Sequence, residues 1–233
     1  MIIRKGINKF TNNVHYSWVF EYLKIKFDKN KKNYRIIDIG GAANPWAFEW
    51  LTHVADVFTD PNHVEKFKDK NIEVFKINFE DSLEWNVILE DVEKNGKFDF
   101  VICSHTLEDL NNPEITCKMI NKIGKSGFIS MPSKYAENCI FEYKNNIPYK
   151  GYHHHRWIFQ IKNNILIGYP KMNFHDYINI LNISQEKALH TEIAFIWQEK
   201  FEYNLIFPDQ LMDNRYGTNK LFDLYEKDDL TLE

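Results

Sequence analysis

At 233 residues the chain is long for one domain and short for two, and nothing between residues 34 and 207 has the composition of a flexible linker; one elaborated domain over 1–233 is expected. Hydrophobic residues make up 44% and aromatics 15%, with 18 Phe, 12 Tyr and 6 Trp, which excludes a largely disordered chain and supplies a substantial core. A formal net charge of -4 without any long Lys/Arg block argues against a dedicated nucleic-acid binder, because neutralising phosphates takes clustered cations.

Residues 14–27 place Val14, Trp18 and Tyr22 four apart with Val19 and Leu23 beside them, which predicts an amphipathic helix within an N-terminal helical cover over 1–33. A Lys/Asn-rich turn at 28–33 then leads into a strand over Tyr34–Ile39. That strand opens into Asp38-Ile-Gly-Gly-Ala-Ala-Asn-Pro45. An apolar run ending in an acid and then in small residues is how a buried parallel strand opens under a nucleotide-like ligand. Asp38 supplies charge, Gly40 and Gly41 allow close approach, and Asn44 is the non-glycine residue most willing to take positive φ. The stretch reads as a cofactor loop.

Pro45–Leu51 is expected to start a helix, since proline suits a first helical turn. A second strand over Ala55–Thr59 ends at Asp60, roughly twenty residues after Asp38, the interval at which a doubly wound fold brings an acid to a ribose hydroxyl. The third strand, Ile72–Ile77, is followed by the polar pair Glu80 and Asp81. Phe98–Cys103 forms a fourth strand, and Ser104-His-Thr-Leu-Glu-Asp-Leu110 leaves it as a polar loop entering a helix through Ile115, Met119 and Ile123. A fifth strand, Phe128–Met131, ends at Pro132. Strands alternating with helical patterns imply parallel βαβ units in an α/β sheet, with the cofactor-binding core at 34–132.

Beyond Pro132 the rhythm changes. Residues 133–156 are rich in Tyr, Asn, His and Lys. Trp157–Ile161 and Ile165–Tyr169 flank Lys162-Asn-Asn164 as a hairpin, and Ile193–Trp197 and Phe201–Phe207 form a second pair around Gln198–Lys200. At least one pair is assigned to the end of the main sheet and the other to an insertion, with 177–233 closing the sheet and ending in an acidic tail that frays. Cys103, Cys117 and Cys139 are odd in number and lack paired spacing, which speaks against a disulfide framework or zinc ribbon and for a reducing cytoplasm. No apolar run approaches the ~18 residues of a spanning helix, so no membrane span is expected. The sequence carries no sign of the oligomeric state.

Tyr152-His-His-His-Arg-Trp157 is the most unusual local composition. In an extended segment His153 and His155 point one way and His154 the other, so at most two join one site. Metal ligation then needs distant partners such as Glu137, Glu142 or His175, and no metal is assigned. The cluster is read as contacting substrate, with Arg156 able to clamp a phosphate or carboxylate, or else as a polar rim packed by Tyr152 and Trp157.

Ile36-Ile-Asp-Ile-Gly-Gly41, Asp60, Asn78-Phe-Glu-Asp81 and Phe98-Asp-Phe-Val-Ile-Cys-Ser-His-Thr-Leu-Glu-Asp-Leu110 together resemble the Rossmann-like S-adenosylmethionine-dependent methyltransferases. The last block is similar to that superfamily's FDxVxxSHxLEHL stretch. The family loop reads Asp-x-Gly-x-Gly-x-Gly; here its later glycine positions are Ala42 and Asn44, Asp109 stands where the family often has His, and Asn78 where it often has Asp. Met131-Pro-Ser-Lys-Tyr-Ala-Glu137 with His154-His-Arg-Trp157 looks like a bacterial and viral branch often associated with surface-sugar pathways. The resemblance implies a doubly wound, mostly parallel seven-stranded sheet with a β-hairpin-containing insertion after the fifth strand, residues 133–176 forming an acceptor site or lid.

It also implies S-adenosylmethionine as cofactor. Asp38 and Gly40, with Gly41, Ala42 and Asn44 in the same loop, would hold the methionine portion, and Asp60 the ribose. Phe79 or Glu80 would lie against adenine, with Ser104 and His105 lining the pocket. Methyl transfer is an in-line displacement that needs alignment and loss of one proton from the acceptor. His105 is the first candidate base, with His154 and His155 behind it, and Tyr135, Tyr152, His153 and Arg156 are candidates for acceptor contact. The expected activity is O-methylation of a small molecule or sugar derivative. The alternatives are a catalytically silent binding protein of the same fold, or a methyltransferase acting on RNA or protein.

Overall fold

A computed structural model describes residues 2–4, 7–9, 17–28, 33–43, 45–57, 61–144, 147–172 and 191–208, so Asn44, Asp60, His175 and the acidic tail lie outside the described residues. In chain order, β1 (Ile2–Arg4) and β2 (Ile7–Lys9) precede α1 (Ser17–Lys26). Then come β3 (Ile36–Ile39), β4 (His53–Asp56), α2 (Pro61–Asp69), β5 (Glu73–Lys76) and α3 (Asn86–Asn95). β6 (Phe100–Ser104) leads through a 3-10 turn at Leu107–Asp109 into α4 (Pro113–Ile123), β7 (Ser126–Pro132) and the short α5 (Lys134–Glu137). The remaining strands are β8 (Ile140–Lys144), β9 (Ile147–Lys150), β10 (Trp157–Lys162), β11 (Ile165–Pro170), β12 (Thr191–Gln198) and β13 (Glu202–Leu205).

Six strands in the order β12-β7-β6-β3-β4-β5 make the central sheet. β3 to β7 run parallel, and β12 pairs antiparallel with β7. β1 and β2 both add antiparallel to β12, which brings the sheet to eight strands where seven were expected. Burial on both faces explains the near-continuous apolar strands. Ile37, Ile39, Val101, Cys103, Ile129, Met131, Phe195 and Trp197 face one core, shared with Ile88, Cys117 and Ile120. Their alternates Ile36, Val54, Phe100, Ile102, Phe128, Ala194 and Ile196 face the other, under Val19 and Leu23 of α1.

Three expectations change. Pro45–Leu51 is a series of turns rather than a helix, with Phe48 N bonded to Pro45 O (3.1 Å) and Trp50 N to Ala47 O (2.9 Å). Tertiary packing outweighs the favourable proline: the turn lets Trp46 meet Phe128, Phe48 meet Phe67 and Trp50 meet Phe20, with ring centroids 5.4–5.7 Å apart. β12 and β13 do not pair with each other. β12 joins the central sheet, whereas β13 runs parallel to β11 in a three-stranded sheet ordered β10-β11-β13. The second strand lies earlier than expected, at His53–Asp56 rather than Ala55–Thr59. Between β10 and β11, Asn163 (φ 52°) and Asn164 (φ 62°) take the two positive φ values of a tight hairpin turn. No helix among the described residues is long and apolar enough to cross a membrane.

Candidate functional site

From β3 the chain steps outward to β4 and β5 on one side, then returns to place β6 and β7 on the other. Open α/β sheets bind ligands at such a reversal, beyond the carboxyl ends of the strands. The loop after β3 lies there. Gly40 has φ +81°, a left-handed conformation, and a Cβ on it would sit 2.3 Å from Thr106 Oγ1, in the loop after β6. Thr106 Oγ1 in turn donates to Ile39 O at 3.2 Å, so the two loops on either side of the reversal are stitched together. A Cβ on Gly41 would fall 2.2 Å from the Asp38 carboxyl carbon. Gly40 N donates to Ala55 O (2.8 Å) and Ala42 N to Asp56 Oδ2 (3.0 Å), which ties the loop to β4.

Asp38 is 2% exposed, and burial followed by the nearby Asp56 raises its pKa to about 8. Two buried carboxyl groups at the sheet reversal suit a ligand that carries a positive charge. A bound ammonium would replace the proton on Asp38.

Ser104 Oγ lies 2.8 Å from Ser130 Oγ at the ends of β6 and β7. His105 follows in the left-handed region (φ 51°), a strained setting for a non-glycine residue. Its Nδ1 is 3.3 Å from Glu108 Oε1 and its Nε2 3.3 Å from Glu192 Oε1, while Glu108 and Glu192 are 1% and 2% exposed. Burial on its own would lower the imidazole pKa, but the two carboxylates override it and raise it to about 10. His105 therefore holds its proton near neutral pH. Its two carboxylate partners favour the charged imidazole, an arrangement that sits against the role of ready general base expected from the sequence. His105→Gln is expected to lower the thermal midpoint by an amount fully present below the ordinary histidine pKa of about 6.5. That difference should shrink to nothing as pH rises through about 10. Thermal unfolding of both proteins across that window checks it, and a constant difference would mean a neutral imidazole.

The two residues expected on the adenine side, Phe79 and Glu80, both have partners within the protein. Phe79 is 4% exposed and packs on Trp85 with centroids 5.9 Å apart, so its ring belongs to the core. Glu80 is engaged by the next loop, accepting from Asn112 N (2.7 Å) and Asn111 Nδ2 (3.0 Å).

The histidine-rich segment lies against the exit of β6. Arg156 N donates to Glu108 O (2.6 Å), Arg156 Nε to Asp109 O (3.1 Å) and Trp157 Nε1 to Leu110 O (2.9 Å). Residues 152–155 are turned rather than extended, with His155 N bonded to Tyr152 O at 3.2 Å. The expected alternation is thereby lost. His154 Nε2 and His155 Nε2 both approach Asp109 Oδ1, at 3.8 and 3.7 Å. His153 is exposed beside Tyr149, and the Tyr152 ring lies tilted against the His155 ring with centroids 4.6 Å apart. Tyr135 is buried at 4% exposure in α5. In the same helix Glu137, 1% exposed, accepts from His155 Nδ1 at 2.6 Å and from Lys171 Nζ at 2.7 Å.

Asp56, Thr106, Glu192 and Lys171 had no place in the sequence reading. Asp56 and Glu192 left a signal there: each is an acid within or beside an otherwise apolar strand, and buried acids occur where something positive or donating meets them. Thr106 and Lys171 left none.

An open, mostly parallel sheet with a glycine loop and buried acid at its reversal point is a nucleotide-type ligand-binding fold. The methyltransferase domain family matches residues 14–163, well over half the chain, and the protein belongs to that family. Its membership carries S-adenosylmethionine as the methyl donor. No curated protein matches. Among solved structures, an O-methyltransferase family protein from Burkholderia thailandensis is 16% identical over 52% of this chain and 39% of its own, with a TM-score of 0.36. A bacterial Hen1 methyltransferase domain is 10% identical over 78% of this chain and 95% of its own, with a TM-score of 0.41. A small RNA methyltransferase HEN1 is 9% identical over 82% of this chain, the match spanning only 26% of its own length, with a TM-score of 0.38. At this distance no role is transferred from them.

Proposed function

We propose that the protein transfers a methyl group from S-adenosylmethionine to a hydroxyl of a small, sugar-type acceptor. The observation that carries this reading is the buried Asp38, beside Asp56 and the close-packed Gly40-Gly41 turn at the sheet reversal, an acidic place for the donor's ammonium. Asp38, Gly40, Gly41 and Ala42 hold the methionine end, with Asn44 continuing the loop, Asp60 on the ribose, and Ser104 beside the donor. His105, as a cation between Glu108 and Glu192, positions the acceptor rather than deprotonating it. Ionisation of the acceptor hydroxyl belongs to the face made by Asp109, His154 and His155. Tyr152, His153 and Arg156 border the acceptor there, with Tyr135 supporting from beneath. A wall of rings and hydrogen-bonding groups suits a polyhydroxylated molecule.

Calorimetric titration with the donor and with its demethylated product is expected to show binding that Asp38→Ala abolishes. Because Asp38 titrates near pH 8 before a cation reaches it, binding at neutral pH should release a proton, so that the measured heat changes with the buffer's ionisation enthalpy. No heat at millimolar ligand would overturn the enzymatic reading and leave a silent scaffold of the same fold.

A further inference from the structure

We infer that Asp109, His154 and His155 form a site for one divalent transition-metal ion. The donor atoms Asp109 Oδ1, His154 Nε2 and His155 Nε2 all lie within 4.8 Å of one another. Both imidazole nitrogens converge on the same carboxylate oxygen, yet at 3.8 and 3.7 Å they stand too far from it to hydrogen-bond. Donor atoms bound at ~2.0–2.2 Å to a tetrahedral ion are roughly 3.3–3.6 Å apart. The observed spacing thus needs only a small contraction and a tilt of one ring. An ion fits a gap that a shared proton does not.

The surroundings of His155 point the same way. Its Nδ1 donates to Glu137 Oε1 at 2.6 Å, and Glu137 is itself held by Lys171 at 2.7 Å. A carboxylate on the far nitrogen is the outer-sphere partner that metal-ligating histidines use: it fixes the tautomer and directs the Nε2 lone pair at the ion. His155 is 7% exposed at its side chain and is rigidly placed, whereas His154 and Asp109 are 53% and 43% exposed. Coordination positions therefore stay open toward solvent and acceptor. Two imidazoles and one carboxylate suit zinc, cobalt, iron, nickel or manganese rather than calcium or magnesium, which prefer oxygen sets. The role of the ion, though not its binding, rests on the methyl-transfer reading: a hydroxyl bound at the open position loses its proton near neutral pH, to solvent, without a protein base.

The test uses untagged full-length protein, stripped with chelator and titrated separately with Zn²⁺ and Co²⁺. One equivalent per chain is expected, with visible Co²⁺ bands indicating nitrogen and oxygen ligands in low coordination number. Asp109→Asn and His154→Ala, both at exposed positions and so expected to fold, should each weaken binding at least ~10-fold, whereas His153→Ala should not. Substoichiometric uptake by the wild-type chain would overturn the site. So would loss of binding in His153→Ala equal to that in His154→Ala with Asp109→Asn unaffected, the behaviour of an unspecific histidine cluster. Donor binding is read separately, so failure of the metal site and failure of the methyltransferase reading give different results.

Discussion

Gly40→Ala is expected to lose donor binding and to destabilise the chain by roughly 2–5 kcal/mol, the sum of a left-handed alanine and an overpacked contact. The position combines φ +81° with a Cβ that would fall 2.3 Å from Thr106 Oγ1 and 2.8 Å from its Cγ2. Neither penalty is relieved locally, because Thr106 is 7% exposed and bonded to Ile39 O. Thr106→Ala should recover part of the loss, as it removes the two nearest atoms while leaving the φ penalty in place. Denaturant unfolding of both single variants and the double variant measures the coupling; strictly additive effects would mean that the contact between the two loops is not what excludes a side chain. Donor affinity, titrated on the same proteins, separates loss of the pocket from loss of the fold.

Removing the Glu137 carboxylate is the second large effect expected. Glu137→Ala leaves the Lys171 ammonium and the His155 imidazole in an interior where their side chains are only 10% and 7% exposed. Breaking such a buried pair from one side costs roughly 3–5 kcal/mol, since the partner's charge is left uncompensated. In a chain of this size the thermal midpoint should fall on the order of 10 °C. Replacing Lys171 and Glu137 together with apolar residues of similar length should restore much of it. A double variant as unstable as Glu137→Ala alone would indicate that Glu137 matters for packing and not for charge. Lys171 also donates to Tyr152 O at 2.7 Å, so this ion pair fastens the turn that presents His154 and His155.

The amino-acid sequence by itself determined the parallel core and the glycine turn after β3. Strands buried on both faces need mostly apolar runs, and Ile36–Ile39, Phe100–Ser104 and Ser126–Pro132 are of that kind, interrupted only by Asp38 and by small residues. The Asn163-Asn164 turn was legible for a similar reason, since few residue pairs tolerate two positive φ values. Local chemistry also marked Asp38, Gly40 and Gly41. Packing between distant segments decided the rest. The turns at 45–51 exist because Trp46, Phe48 and Trp50 fill three different gaps, which their spacing does not reveal. β12 and β13 look like a hairpin in sequence, yet each finds a better edge elsewhere, on β7 and on β11. His105 read as a base because an imidazole can accept a proton near neutral pH; Glu192, which flanks it from β12, is a partner that only folding supplies. The adjacent His154 and His155 could share one target only once a turn removed the alternation of an extended chain. Asp109, supplied by the loop after β6, gave them that target. Period and composition are local properties of a chain, whereas the charge state of a side chain depends on groups that only folding brings within a few ångströms.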